Sequence, residues 1–493
     1  MDLFGTAGIR GSARERVTPE LALDVARAVG AAAVEAGDRE FVVARDGRVT
    51  GPSLAAAVEA GLTSAGANVT RLGQLPTPGL AFASRGRRGV MLTASHNPPT
   101  DNGIKLFADG VEYAETAETD VERRVEAGVA PAPWDEWGDV SADDTLTAYR
   151  NAVAAYAAGF GSDPAGVRVA VDCGNGMASV ATPHVLRALG ADVVTLNANV
   201  DGHFPGRESK PTAESLADLR AFVADGGAAF GIGHDGDADR IVVVDGDGAV
   251  VHEDTVLAIL AERYVRESDA AEPVVVTTPN ASGRIDERVR EADGRVERVA
   301  LGYLHDGIAA AHEDGDEVVF AAEPWKHIHT GFGGWIDGVA SAAVLTRLVA
   351  ESARERADAT DGAESADGAE ADATDGVETT DDADRSATVD GLAGLREPVT
   401  ERPYRKVSVD CPDGAKRAAM DRLGTTLPEA FPDASVSTEY GVRLTFPDDA
   451  WTLVRPSGTE PYVRVYAESD AVDELVEAVA GHVESAVKAV SEP

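Results

Sequence analysis

The chain has 493 residues, 44 basic and 85 acidic, for a net charge of −41, and 44% of its residues are hydrophobic. That length suits about three or four compact units, each with enough apolar material for a core. The dispersed acidic excess repels polyanions, which excludes nucleic acid and anionic membranes as partners, and no apolar run reaches the roughly 18 residues of a membrane span.

Only 6 of the 44 basic residues are lysines, and the acidic excess runs along the whole chain, as on a halophilic surface kept hydrated in high salt. The start, Met1-Asp2-Leu3-Phe4-Gly5, has neither a basic nor an apolar leader region, so a cytoplasmic protein is expected. Cys173 and Cys411 lie 238 positions apart and are expected to stay reduced.

In chain order, Thr18-Pro19-Glu20 reads as an N-cap with proline in the first turn, opening a helix from Leu21 to Glu35 that Gly37 closes. Phe41–Ala44 reads as a buried strand, Pro52–Ala65 as a helix and Asn68–Leu72 as a strand. The alternation restarts at the strand Val167–Val171, the helix Pro183–Leu189 and the strand Asp192–Leu196, and again from Thr255 through Val276 to a helix near Ile336–Val349. Strands alternating with helices predict α/β units with mixed sheets.

Residues 353–393 change in composition: Ala357–Asp384 holds 11 acidic residues, no basic ones and a single branched aliphatic, Val377. Such a segment buries too little apolar surface to offset the entropy of ordering it, and reads as a disordered linker. Beyond it, strands at Val407–Val409, Val442–Phe446 and Tyr462–Ala467 and a helix from Val472 to Val490 predict a smaller α+β unit. The expected domains are 1–148, 149–250 and 251–352, the linker 353–393, and 394–493.

Four clusters carry chemistry. Thr93-Ala94-Ser95-His96-Asn97-Pro98 follows the apolar stretch Val90–Leu92. A hydroxyl on the turn leaving a strand is open to a substrate, and to act as a nucleophile or phosphate carrier it needs a base, a metal or cations nearby; His96 and Lys105 are the near candidates. Asp235-Gly236-Asp237-Ala238-Asp239-Arg240 sits between the apolar runs Phe230–Ile232 and Ile241–Val244. Its alternating carboxylates can wrap one hard cation such as Mg²⁺, and Arg240 adds a bidentate donor for a phosphate. The strands flanking it, Arg240 at its sixth place and Gly246 at its twelfth distinguish it from a calcium-binding EF-hand loop. Arg455-Pro456-Ser457-Gly458-Thr459-Glu460 offers an arginine, two hydroxyls and turn amides for a phosphate monoester. The opening Phe4-Gly5-Thr6-Ala7-Gly8-Ile9-Arg10-Gly11 reads as a glycine loop in which Arg10 reaches an anion, with no strand before it. Asp172-Cys173-Gly174-Asn175-Gly176 reads as a strand-to-helix turn.

Taken in this order, the four clusters, with Asp201-Gly202-His203-Phe204-Pro205-Gly206 as a fifth stretch, resemble the α-D-phosphohexomutase family of phosphoglucomutases, phosphomannomutases and phosphoglucosamine mutases. The resemblance covers nearly the whole chain outside the acidic segment. It implies three similar α/β domains with mixed sheets plus a smaller C-terminal α+β domain around a central cleft. It also implies an isomerase that interconverts hexose 1-phosphate and hexose 6-phosphate through a phosphoserine and a hexose 1,6-bisphosphate, the latter also serving as primer. Ser95 would carry the phosphate and Asp235, Asp237 and Asp239 would hold Mg²⁺ with a phosphoserine oxygen. Arg10, His96, Lys105 and Arg240 would serve the transfer, and Arg455, Ser457, Gly458 and Thr459 would grip the phosphate that is not reacting.

The third unit departs from the family's Gly-Glu-x-Ser-Gly-His sugar loop, reading Ala322-Glu323-Pro324-Trp325-Lys326-His327. Glu323 and His327 keep the places of substrate-binding residues, and Trp325 is either a packing residue or a ring for a sugar face. The implied substrate is a glucose or mannose phosphate, with glucosamine phosphate as the alternative sugar and a metal-dependent sugar-phosphate phosphatase as the alternative class. The expected partners are small sugar phosphates, and the expected state is a monomer or homodimer.

Overall fold

The computed structural model describes residues 3–5, 8–367, 391–457 and 461–491. Its contacts cluster into two compact units, one of residues 1–256 with 319–398 and the other of residues 257–318 with 399–493, so the expected third domain is divided between them. Among the described residues no helix is long and apolar enough to cross a membrane.

In the first unit Thr18 caps the helix Pro19–Glu35 by accepting from the Leu21 amide. The buried face of this helix is mainly alanine, valine and glycine, and it packs on the helix Gly51–Ser64. The approach is close because Gly61 lies at the crossing, where a Cβ would stand 2.5 Å from the Leu23 carbonyl oxygen and 2.7 Å from the Ala26 methyl. Behind these helices lies a sheet built from β1 (Ile9–Ser12), β2 (Glu40–Arg45), β3 (Asn68–Gln74), β4 (Arg88–Leu92), β5 (Asp101–Ala108), β6 (Val111–Glu112) and β7 (Val140–Ala142). Its order is β1-β5-β4-β2-β3-β7, with β6 on β5. The β2, β3, β4 and β7 pairings are parallel, whereas β5 runs antiparallel to β1 and β4.

The second sheet of this unit has β8 (Arg168–Asp172), β9 (Asp192–Leu196), β10 (Phe230–His234) and β11 (Ile241–Val244) in the order β11-β10-β8-β9. β8 is parallel to both neighbours, and β10 and β11 form an antiparallel hairpin. In the other unit β12 (Val274–Thr277) and β13 (Arg295–Arg298) are parallel. β14 (Val318–Glu323) and β15 (Lys326–Ile328), which but for Val318 belong to the first unit, form a tight hairpin. The C-terminal domain is an antiparallel sheet of β16 (Tyr404–Asp410), β17 (Ser435–Ser437), β18 (Val442–Thr445), β19 (Trp451–Pro456) and β20 (Tyr462–Glu468), ordered β16-β20-β19-β18-β17. The helices Asp413–Ala430 and Val472–Ser491 pack against each other beside it. The chain is thus α/β with mixed sheets and a C-terminal α+β domain.

Two sequence expectations are corrected. The opening glycine loop contains a strand: Ile9 is fully buried and Ile9–Ser12 pairs with residues 101–104 of β5, because β5 offers a free edge that local spacing does not reveal. The linker is shorter than 353–393, since the helix Gly338–Asp367 runs through its first part and Gly391–Arg396 is again helical. Extending an existing helix costs far less than nucleating one, and Arg354 and Arg356 anchor the extension on the Asp163 carbonyl and the Glu397 carboxylate. The rest of the expected linker lies outside the described residues.

The packing at Gly61 fixes the sign of two alanine substitutions. In a helix interior, Gly→Ala ordinarily stabilises by about 0.5–1 kcal/mol. Gly424, in the helix Asp413–Ala430 with nothing within 4 Å of its missing Cβ, is expected to follow that rule. Gly61→Ala is expected to destabilise by about 1–3 kcal/mol through overpacking, and denaturant midpoints of the two variants measure the contrast.

Candidate active site

The site is assembled where β4 ends and where the β10–β11 hairpin turns. Ser95 follows β4 and is fully buried, with φ at +50°, a left-handed conformation that costs a non-glycine residue about 1–2 kcal/mol. Its amide donates to Thr93 Oγ1 at 2.9 Å, and the Thr93 hydroxyl donates to Asp46 Oδ2 at 2.8 Å. Its hydroxyl donates to Asp235 Oδ2 at 2.6 Å and lies 3.2 Å from His96 Nδ1.

β10 and β11 are buried along their whole length, so the turn between them carries Asp235, Asp237 and Asp239 into the interior. One oxygen from each lies within 4.8 Å of the others. Thr77 opens a helix and is bound to the turn twice, its hydroxyl donating to Asp237 Oδ2 at 2.6 Å and its amide to the Asp237 carbonyl at 3.0 Å. Lys105, on β5 opposite Met91, places Nζ 3.0 Å from Asp239 Oδ2, 3.1 Å from Glu112 Oε1 and 4.0 Å from Asp237 Oδ2. Arg240 Nε stands 3.6 Å from Asp239 Oδ1 and 3.8 Å from Asp235 Oδ2. Arg10 lies on β1 opposite Gly103.

Electrostatics follow from this crowding. Burial, then Asp239 and Asp237, pushes Asp235 well above the usual carboxylate range. Burial also raises Asp239, but Lys105 and Arg240, aided by Lys326 and Arg10, outweigh it and hold that carboxyl low. For Lys105, burial is outweighed by Glu112, Asp239 and Asp237, which raise its pKa and keep the ammonium charged. His96 is pushed down to about 3 by burial, then by Arg240 and Arg10, so its imidazole is neutral. Among the described residues the buried atoms Asp237 Oδ1, Asp239 Oδ1, Arg10 Nε and Arg240 Nε have no hydrogen-bond partner. Unpartnered carboxylate oxygens in an all-oxygen donor set fit a hard divalent cation, and unpartnered guanidinium nitrogens beside them fit an anion.

The other candidates are elsewhere. Glu323 ends β14 and faces Lys326 across the hairpin, with Nζ 3.4 Å from Oε2. This hairpin touches the aspartate turn, because Lys326 bridges to Arg240 and the Ile241 amide donates to the Trp325 carbonyl at 3.3 Å. Trp325, expected as either core or sugar platform, packs on the cluster of Ala170, Leu216, Leu219 and Val223. His327, expected on the substrate, is buried: its Nδ1 lies 3.0 Å from Ser341 Oγ and its ring packs on Phe320. A β-strand alternates its faces, so His327, next to Lys326, points into the core instead. In the C-terminal domain Arg455 lies on β19, and Ser457 is buried with its carbonyl accepting from Lys416 Nζ at 2.6 Å. Gly458 and Thr459 lie outside the described residues.

Sequence reasoning did not single out Asp46, Thr77 or Glu112. The available signal for Asp46 was its place at the end of a buried parallel strand, where side chains reach ligands in α/β sheets. Thr77 and Glu112 gave no such signal.

The family models of phosphoglucomutase/phosphomannomutase match this chain at the alpha/beta/alpha domain I over residues 1–131, the alpha/beta/alpha domain II over 148–248 and the C-terminal domain over 407–485. A phosphopentomutase of Thermococcus kodakarensis is 38% identical over 500 residues, covering 99% of each chain. A probable phosphoglucosamine mutase of Methanopyrus kandleri is 38% identical over 475 residues, covering 95% of this chain and 94% of its own. Among solved structures, a phosphoglucomutase/phosphomannomutase family protein from Burkholderia thailandensis shares the fold with a TM-score of 0.78 at 24% identity, covering 99% of this chain and 97% of its own. The identity of the relatives over nearly the full length makes this chain a member of the phosphoglucomutase/phosphomannomutase family, the α-D-phosphohexomutases, and an isomerase.

Proposed function

We propose that the enzyme interconverts the 1-phosphate and 6-phosphate of a hexose, glucose or mannose, through a phosphoserine at Ser95 and a hexose 1,6-bisphosphate. The observation that carries this reading is the Ser95 hydroxyl, buried and 2.6 Å from Asp235 in a cluster of three carboxylates.

In the transfer, the bond between phosphorus and Ser95 Oγ breaks as a bond from a sugar hydroxyl oxygen to phosphorus forms, and the hydroxyl proton passes to a neutral histidine, of which His96 is nearest Ser95. Lys105, expected from the resemblance as an alternative acceptor, is held as an ammonium by its carboxylate neighbours and acts as a cation only. The bisphosphate then turns over and returns its other phosphate to the serine. Asp235, Asp237 and Asp239 would hold Mg²⁺, which when bound neutralises charge on the phosphoryl oxygens. Arg10, Lys105 and Arg240 stabilise the negative charge spread over the phosphoryl group, so catalysis is chiefly positioning and electrostatics. Arg455, Ser457, Gly458 and Thr459 grip the distal phosphate, and Glu323 accepts hydrogen bonds from sugar hydroxyls. His327 is left out of the proposed substrate set because its Nδ1 is engaged by Ser341 and its ring packs on Phe320.

A second reading of the sugar is favoured by the relatives, whose names specify a phosphopentomutase and probable phosphoglucosamine mutases. The altered sugar loop, with Trp325 and Lys326 in place of serine and glycine, agrees with a substrate other than glucose or mannose.

Three measurements test the proposal. Ser95→Ala is expected to abolish interconversion with the fold intact, and wild-type enzyme incubated with isotopically labelled glucose 1,6-bisphosphate is expected to carry label on the peptide spanning position 95; turnover without that label would refute the carrier. MgCl₂ is expected to raise the melting temperature of wild type, as any ligand selective for the native state does. Asp237→Asn is expected to lose both that shift and most turnover. Assayed in molar KCl with Mg²⁺, glucose 1-phosphate or mannose 1-phosphate is expected to give the highest kcat/KM; glucosamine 1-phosphate or ribose 1-phosphate ahead of both would select the second reading.

A further inference from the structure

The stretch Asp201–Gly206 and the segment Arg45-Asp46-Gly47-Arg48 have no part in the chemistry above, yet they meet behind Ser95. Arg48 is fully buried and uses all five of its guanidinium N–H groups. Nε donates to Asp46 Oδ2 at 3.1 Å, Nη1 to the Pro98 and Asp101 carbonyls at 2.6 and 2.8 Å, and Nη2 to the Ser95 and Asn97 carbonyls at 2.9 and 2.7 Å. Three of those acceptors, on Ser95, Asn97 and Pro98, are backbone oxygens of the loop that carries Ser95, and the fourth backbone oxygen belongs to Asp101, where β5 begins.

Asp46 completes a ring of bonds, since it also accepts from Thr93, whose hydroxyl accepts from the Ser95 amide. The loop is therefore held on both sides of a residue in a strained conformation, the condition under which such strain persists.

The second segment fastens this loop to the aspartate turn. The Phe204 ring lies 5.1 Å from the Arg48 guanidinium carbon, and Ser209 Oγ donates to the Asn97 carbonyl at 3.0 Å. Arg207 Nη2 donates to the carbonyl of His234, next to Asp235, at 2.6 Å, and its Nε donates to Asp172 Oδ1 at 3.0 Å. The two loops also touch directly: a Cβ on Gly236 would stand 2.6 Å from the Ser95 carbonyl oxygen.

We propose that Arg48 is a positioning residue for phosphoryl transfer, a guanidinium clamp that fixes the aim of Ser95 and, through Phe204 and the segment ending at Ser209, sets its distance from the aspartate turn. The proposal rests on the reading of Ser95 as the phosphoryl carrier. Lysine cannot replace the clamp, because an ammonium has three donors in place of a planar fork of five. A misplacement of about 1 Å at a reacting atom costs on the order of 10²-fold in rate.

The test uses the full chain with Arg48→Lys, Phe204→Leu and Ser209→Ala, following kcat, KM, the rate of labelling at position 95 by isotopically labelled glucose 1,6-bisphosphate, and thermal melting. Arg48→Lys is expected to lower kcat and the labelling rate together by about 10²-fold, with KM little changed and the protein folded. Phe204→Leu and Ser209→Ala are expected to lower kcat severalfold in the same pattern. Wild-type kcat per folded molecule in Arg48→Lys would overturn the clamp, as would a loss confined to KM. Should Arg48→Lys fail to fold, the other two variants decide, and wild-type kcat in both would overturn it. A wild-type enzyme that turns over with no label at position 95 removes the carrier reading itself, whereas labelling and turnover undiminished in the variants remove only the clamp.

Discussion

Three carboxylates confined to one buried turn set the terms for the rest of the site. Asp235, Asp237 and Asp239 bring oxygens within 4.8 Å of one another, where water that would screen them is excluded and like charges repel strongly. Four neighbouring groups answer that repulsion: Thr77 and Ser95 donate hydrogen bonds, and Lys105 and Arg240 supply positive charge. The answer is incomplete, because oxygens of Asp237 and Asp239 stay unpartnered among the described residues and Asp235 is pushed towards its protonated form. A turn that would be a poor choice for stability alone is a good receptor for a cation and the anion it carries.

Much of this was legible because the chemistry sits at strand ends. The apolar runs before Ser95 and on either side of Asp235–Arg240 identify buried strands, and a polar turn between two buried strands has only the sheet's end to occupy. The Thr18 cap and the alternation of strands and helices were equally local, and the helix Pro19–Glu35 and strands β2 and β3 appear where that pattern puts them.

What escaped was set by distance along the chain. Thr77 and Asp237 are 160 residues apart, Ser95 and Asp235 140, and Lys105 and Asp239 134; sheet order creates those contacts, and spacing does not encode it. β1 escaped because its partner edge is supplied by β5, almost a hundred residues on. The helical start of the acidic segment escaped because composition reports the cost of ordering a segment alone, not the ease of continuing a helix already anchored by residues 338–350.

The bridge between Arg240 and Lys326, with the bond from the Ile241 amide to the Trp325 carbonyl, has an evolutionary corollary. The segment Ala322–His327 is stitched to the hairpin that bears the acidic turn, and Lys326 adds to the field felt by Asp239. If that segment reads the sugar, as proposed, a substitution there that altered substrate preference would also shift the field at the acidic turn and so couple the two properties. Transplanting the loop from a cousin enzyme would move both at once, and a graft that respects the acidic turn must carry its electrostatic complement with it.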